Sequence, residues 1–437
     1  MFQSTSGGNG SGGGAGLGDS AFHNGFLHGG VSGGAQLTRS RPRRGTRRRQ
    51  HDQGGGASDP RVSQLRDHQD TERHPRPCTD FDVAYFNSYA HLGIHEEMIK
   101  DRARTDTYKN AIFQHQDQIA GKVVLDVGCG TGILSIFCAQ AGAKRVYAVD
   151  ASDIAVQANE VIKANNLSDT VIVLHGRVED VEIDEKVDVI VSEWMGYMLL
   201  YESMLGSVIT ARDRWLKPGG LILPSYATLY MAPVSYPERY SESIDFWRNV
   251  YGIDMSAMMP LAKQCAFEEP SVEMISGENV LTWPHVVKHV DCLTLTIEEL
   301  QTVSTRFTFK SMMRAPFHGF AFWFDVEFGN PSVNNSKSNN AQPALVAAPD
   351  DTATETNKSK KRANPSEGLV LSTAPEAPPT HWQQTLIYFY DPIEVEQDQV
   401  IEGSVTLTQS MENARFMNVH LEYSSGGRSF VKESVMR

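Results

Sequence analysis

Two acids interrupt an otherwise apolar and aromatic stretch, Glu193 and Glu202 within SEWMGYMLLYESML (192–205). A carboxylate in such a setting is costly to bury unless a cation or a donor meets it. Two carboxylates can hold a planar cationic fork by charge-assisted hydrogen bonds, so the pair suggests a socket for a positive group. Taken singly, Glu202 also suits a solvated acid at a helix start, where the macrodipole favours it. A continuous helix turns about 900° over nine residues and would put the two on opposite faces. A strand ending at Glu193, then Gly196, then a helix beginning at Glu202 would instead form a hairpin that brings both to the carboxyl edge of a sheet.

The surrounding pattern supplies such a sheet. Apolar strand-like runs alternate with helical ones up to Pro224: KVVLDVG, GILSIFCAQAG, RVYAVDA, a helix over about 153–165 with Ser152 as N-cap, TVIVLHG and VDVIVS. A further helix is expected over 201–216, stopped by Lys217-Pro218-Gly219-Gly220. Buried strands alternating with helices predict βαβ units and a parallel sheet covered on both faces. Beyond Pro224 the runs RFTFKS, FAFWFDVEF, TLIYFY, GSVTLT and NVHLEY alternate with turn residues, which predicts an antiparallel sheet or barrel.

After the first strand comes Asp126-Val-Gly-Cys-Gly-Thr-Gly132. Gly128 and Gly130 let the backbone pass close beneath a ligand at the carboxyl edge. A dinucleotide fingerprint would need a small residue where Ile133 stands, and no P-loop lysine follows. With Asp150 closing the next strand, the turn resembles that of class I S-adenosylmethionine-dependent methyltransferases. That resemblance implies that the turn underlies the cofactor's methionine portion, that Asp150 takes the ribose hydroxyls with bidentate hydrogen bonds, and that Glu179 contacts the adenine.

A closer resemblance follows from four segments together: SEWMGYMLLYES, YFNSYAHLGIHEEMIKDRARTDTY (85–108), DVGCGTGILSIFCAQAG and THW (380–382). Over roughly 81–437 the chain resembles the type I protein arginine N-methyltransferases, nearest to a nuclear branch of them. The resemblance implies an α/β Rossmann-type class I methyltransferase domain followed by an antiparallel β-barrel domain, with substrate between them. Glu193 and Glu202 would grip the substrate guanidinium. Arg104 would pair with the carboxylate of S-adenosyl-L-methionine, with His95 helping and Tyr85, Phe86 and Tyr89 as cover. Met98 and Met204 would restrict space around the target nitrogen, and Tyr197 and Trp382 would join Tyr85 on the substrate side. His381 would hydrogen-bond Asp101 beside the acids. Asp150 is a departure, since most members carry Glu there.

The implied reaction yields monomethyl and asymmetric dimethylarginine on proteins, histones among them. Met98 stands where symmetric-type enzymes usually have Phe. Guanidinium stays protonated at physiological pH, so its lone pairs are delocalised. Two carboxylates would localise the charge away from the attacking nitrogen, and Glu202 or the His381–Asp101 pair would take the product's proton. Two rival readings use the same fold: methylation of a small cationic amine, and a non-enzymatic scaffold.

Length and composition frame these readings. The chain has 437 residues, 40 % of them hydrophobic, enough for two or more globular units. The expected units are a disordered Gly/Arg-rich tail over 1–79, a cofactor domain with an N-terminal helical segment over 80–224, and a barrel domain over 225–437. The barrel domain would carry a dimerisation arm near 236–260 and a disordered insertion near 330–367. No apolar run approaches twenty residues, which argues against a membrane span, and five cysteines without CxxC spacing argue against zinc and disulfides. The net charge is −13, although residues 1–79 are basic and hold RSRPRRGTRRR (39–49). An acidic body suits cationic substrates better than phosphate backbones, and no direct nucleic-acid role is required. The basic tract reads as a nuclear-import or nucleic-acid patch, KSKKR (358–362) reads first as a solvated loop and second as an import signal, and a homodimer is the expected assembly.

Overall fold

The computed structural model describes residues 78–202, 204–329 and 368–437. The expected insertion, both basic tracts and the expected tail up to residue 77 lie outside them. Three helices open the described chain: α1 (Asp80–Tyr89), α2 (Leu92–Lys100) and α3 (Arg102–Gln114). Thr79 and Asp82 satisfy each other's backbone N–H groups in a capping box at the start of α1. Asp101 ends α2 with extended backbone, and its carboxylate accepts from Arg104 N to cap α3.

A short α4 (Gln116–Ile119) leads into β1 (Val123–Val127), α5 (Ile133–Gln140), β2 (Arg145–Asp150), α6 (Ile154–Ala164), β3 (Val171–His175) and β4 (Val187–Val191). Then come α7 (Leu205–Trp215) and β5 (Leu216–Leu223). The five strands are parallel, in the order β3-β2-β1-β4-β5. Succession runs one way from β1 to β2 and the other way from β1 to β4, so the sheet has its switch point between β1 and β4. Ligands of open α/β sheets bind at such a point. The glycine turn leaves the carboxyl end of β1 and Glu193 follows that of β4, so topology alone brings the two motifs together.

Three details depart from the sequence reading. The helix expected from 201 begins at Leu205, because Met198, Leu199 and Glu202 take positive φ and cannot continue a right-handed helix. Ser152 does not cap α6; its hydroxyl turns back to Asp150 Oδ1 at 2.7 Å. The Lys-Pro-Gly-Gly stretch, expected only to stop a helix, lies within β5.

Past Leu223 the chain becomes antiparallel: β6 (Tyr226–Val234), helices α8 (Pro237–Ser243) and α9 (Met259–Phe267), β7 (Ser271–Glu273), β8 (His285–Asp291), α10 (Ile297–Gln301) and β9 (Thr302–Lys310). Then follow β10 (Ala315–Phe328), β11 (Leu369–Ser372), β12 (Gln384–Val395), β13 (Val400–Gln409), β14 (Met417–Ser425) and β15 (Arg428–Met436). They form a six-stranded sheet, β7-β12-β10-β6-β8 with β11 on β10, and a four-stranded sheet, β15-β14-β13-β9. Phe307, Phe317, Phe320, Phe389 and Tyr423 pack edge-on and stacked between the two sheets, giving a barrel-like domain. Its core is continuous with that of the parallel sheet. Among the described residues no helix is long and apolar enough to cross a membrane.

Candidate active site

The acid loop begins where β4 ends. Tyr108 of α3 donates from its hydroxyl to Ser192 O (3.0 Å), and Ser192 Oγ donates to Val127 O (2.7 Å), fixing the residue before Glu193. Beyond it the chain doubles back through a bridge in which Gly196 N donates to Leu199 O at 3.2 Å. A β-carbon at Gly196 would stand 1.9 Å from the backbone oxygen of Tyr201, so only glycine fits this hairpin. Met198, Leu199 and Glu202 hold φ of 50°, 64° and 72°, sparsely populated values that the neighbouring contacts must enforce.

Glu193 meets a cation from its own chain. Arg104 Nε and Nη2 each lie 3.0 Å from Glu193 Oε2, with side chains 7 % and 8 % exposed. Arg104 Nη1 donates to Met98 O at 3.1 Å, which draws α2 toward the acid. Arg104, expected on the cofactor carboxylate, is therefore already bonded to the substrate-side acid, as a buried guanidinium beside a buried carboxylate demands. Glu193 Oε1 has no hydrogen-bond partner among the described residues, although it is buried. A buried carboxylate oxygen left this way costs stability and marks a place for a donor.

Glu202 is reached from α1. Tyr89 donates its hydroxyl to Glu202 Oε2 at 2.8 Å, so Tyr89, expected to cover cofactor, bonds the second acid. Burial pushes the Glu202 carboxyl above the ordinary range; hydrogen bonds from Tyr89 and Tyr85 and the charge of Arg415 oppose that, and the charge of Glu193 adds to it. Repulsion from Glu193 is thus a lesser cause than burial. Phe86 packs against Tyr85, with ring centroids 5.6 Å apart. Tyr197 lies in the hairpin itself, 6.4 Å from the Tyr201 ring.

Asp101 ties three elements together. Its Oδ1 accepts from Arg104 N (2.9 Å), and its Oδ2 accepts from His381 N (2.9 Å) and pairs with His381 Nδ1 (2.7 Å). Burial would raise this carboxyl, but the His381 and Arg104 hydrogen bonds hold it below the usual range. Trp382, expected on the substrate side, is only 4 % exposed and donates its indole N–H to Met195 O at 3.1 Å. It braces the acid loop from behind rather than lining a surface.

His95, Met204 and Asp126 surround the glycine turn. Gly128, Gly130 and Gly132 adopt φ of 75°, 54° and 83°, which L side chains rarely take. His95 lies on the turn, its ring 3.1 Å from where a Gly130 β-carbon would be, and its Nε2 donates to Tyr89 O at 2.7 Å. Met204, expected near the target nitrogen, lies over the turn, with Cε 2.5 Å from a Gly128 β-carbon position. Asp126 is fully buried; its Oδ2 accepts from Ser135 Oγ at 2.6 Å, its Oδ1 has no partner among the described residues, and burial pushes the carboxyl up to about 7.

Asp150 accepts from Gly130 N on Oδ2 (2.8 Å) and from Ser152 N (2.8 Å) and Ser152 Oγ (2.7 Å) on Oδ1. That leaves one lone pair, on Oδ2. A bidentate grip on two hydroxyls therefore requires the Ser152 hydroxyl to turn away. Glu179 accepts from Ser207 Oγ at 2.7 Å at the next strand end. With Met204 Cε moved aside, glycine backbone flanked by Asp150, Glu179 and Arg104 fits a ligand bearing a diol, an amine-rich ring and a carboxylate.

Sequence reasoning missed two residues of this site. Tyr108 reads as an ordinary core aromatic, and it is one that also carries a hydrogen bond. Arg415, between β13 and β14, contacts α1 and Glu202, and its place along the chain gave no sign of it.

Residues 225–344 and 360–428 match the family described as arginine methyltransferase oligomerization subdomain, and residues 109–225 match one described as ribosomal protein L11 methyltransferase. The probable protein arginine N-methyltransferase 6 of Arabidopsis thaliana is 76 % identical over 388 residues, covering 88 % of this chain and 89 % of that one. Protein arginine N-methyltransferase 6 of Danio rerio is 44 % identical across 79 % of this chain and 90 % of its own. Among solved structures, Arabidopsis thaliana protein arginine methyltransferase 10 matches with a TM-score of 0.66 and 35 % identity over 81 % of this chain and 100 % of that one. The Trypanosoma brucei PRMT1 enzyme-prozyme heterotetrameric complex with AdoHcy matches at 0.67 and 32 %, over 80 % of this chain and 100 % of that one.

Proposed function

The chain belongs to the protein arginine N-methyltransferase family, and from that premise we propose which residues perform its reaction and what it produces. It transfers methyl groups from S-adenosyl-L-methionine to guanidino nitrogens of protein arginines. Bound over the glycine turn, that cofactor supplies an electrophilic methyl group; Asp150, Glu179, His95 and Arg104 are the residues that would hold it.

The observation that carries the assignment is the orphaned Glu193 Oε1 beside an Arg104-saturated Oε2. A substrate guanidinium supplies the missing donor. Arg104 on the far oxygen fixes the Glu193 carboxylate, so the free oxygen has a set direction. Glu202, reached from the opposite side and held by Tyr89, takes the second edge of the fork. Together the acids draw positive charge toward themselves and leave the remaining nitrogen richer in electrons. After transfer that nitrogen sheds a proton, and Glu202, whose carboxyl burial has made the better acceptor, takes it.

Met98, held beside the acids through its carbonyl, supports a type I enzyme giving monomethyl and asymmetric dimethylarginine. The net charge of −13 supports arginine-rich tails such as those of histones as substrates. The chain carries an oligomerisation subdomain, and two apolar surfaces support a homodimer. One comprises exposed Phe246, Tyr251, Ile253 and Leu261 around α8 and α9; the other comprises Val156 and Val161 of α6 with Ile172. A nuclear location is supported by the tracts at 39–49 and 358–362.

Incubation with labelled cofactor and core histones, followed by site and product mapping, tests this reading. Labelled arginines as monomethyl and asymmetric dimethyl forms are expected. Symmetric dimethylarginine alone would overturn the type, and unlabelled histones would overturn that substrate.

A further inference from the structure

We propose that Arg415 is a positioning residue for Glu202, holding the acid's loop in place from the barrel side. This rests on the assignment of Glu202 as a guanidinium grip. Arg415 lies in the connection between β13 and β14, far in sequence from the acids, yet its groups converge on one point. Its Nη1 donates to Glu202 O at 3.0 Å, and Glu202 N donates back to Arg415 O at 3.0 Å. Glu202 therefore has both backbone polar groups bound to a single residue, at a φ of 72° that its own chain does not favour.

The same guanidinium fixes the helix that delivers the phenols. Arg415 Nε and Nη2 bond Asp82 Oδ1 at 3.1 and 2.9 Å, and Arg415 Cζ lies 3.7 Å from the Tyr85 ring centroid. The pair is largely shielded, with side chains 17 % and 24 % exposed. Helix α1 has no buried residue of its own. Its grip on the barrel comes from Arg415 and the edge contact of Phe81 with Phe416, at 5.8 Å between centroids. One planar fork thus sets the backbone of Glu202 and the helix whose Tyr89 bonds its carboxylate. A lysine has neither the fork nor the flat face for this.

Kinetics at saturating S-adenosyl-L-methionine and arginine peptide, on the full chain, test the proposal. R415A should lower kcat at least fivefold, and R415K should lower it less. D82N keeps the Arg415–Glu202 contacts but loosens α1, and should lower kcat less than R415A does. If R415A raises only the cofactor KM and kcat recovers at saturation, the residue anchors α1 alone and the proposal fails. D82N as damaging as R415A would also overturn it. Should R415A not fold, R415K carries the test, and a parental kcat for R415K overturns the proposal. E202Q measured alongside separates the two assignments. Parental turnover by E202Q removes the role of Glu202, whereas an impaired E202Q with an unimpaired R415A removes that of Arg415 only.

Discussion

Arg104 places two nitrogens on one oxygen of Glu193 and leaves the other oxygen buried without a donor among the described residues. A carboxylate saturated on one side and open on the other is a directional acceptor. Glu202 differs: it takes phenolic hydrogen bonds, and burial raises its carboxyl. The two acids are therefore unequal before any substrate arrives. One is oriented by Arg104 and the other is readied for a proton.

That inequality has a pH signature at Glu202. Its folded carboxyl titrates above the free value, about 4.3, so the ionised form costs stability once the pH exceeds the folded value. The cost vanishes below the unfolded value. E202Q should thus melt about 1–3 °C higher than the parent at pH 8, with the difference closing as the pH approaches 4. Turnover should fall on the order of a hundredfold or more. Differential scanning calorimetry across pH, with initial rates, checks both.

Asp101 has the opposite sign. Its carboxyl is held below the usual range, so its stabilisation is present above the unfolded pKa and is lost as the pH falls through the lowered folded value. D101N turns an acceptor into a donor facing the His381 or Arg104 N–H. It should destabilise by about 1–3 kcal/mol at pH 7, less below pH about 4. Denaturant titration at the two pH values measures the difference.

The hairpin is tested at Gly196, where a β-carbon would strike the Tyr201 carbonyl. G196A should displace Glu202 and lower kcat about a hundredfold, the cost of a misplacement near 1 Å. The glycine turn is untouched, so cofactor affinity by calorimetry should stay within threefold. An equal loss in both would mean wider unfolding.

Much of this site was legible because its motifs are local. A β-branched run announces β1, three glycines and an acid announce the turn, and the run between Glu193 and Glu202 announces a loop. What stayed hidden depends on contacts across the chain. Arg415 meets Asp82 from the opposite end of the described sequence, and no spacing rule connects them. Trp382 reads as a wall residue until its N–H is seen on Met195 O. The helix expected at 201 failed because positive φ at Met198, Leu199 and Glu202 is imposed by tertiary packing, against the residues' own preference.

The proposed dimerisation arm, with Phe246 and Ile253 exposed, is open to test in solution. F246E and I253E charge its apolar face and should sediment as monomers at concentrations where the parent is a dimer. A parent that sediments as a monomer throughout, with full activity, would remove the arm's role.

The central claim is that Glu193 keeps one oxygen for a substrate arginine, and E193Q tests it most directly. The measurement is kcat/KM on an arginine peptide, with thermal stability and cofactor affinity recorded on the same preparation. The account expects kcat/KM to fall on the order of a hundredfold to a thousandfold, with cofactor still bound and the fold retained. Full turnover by E193Q would contradict it.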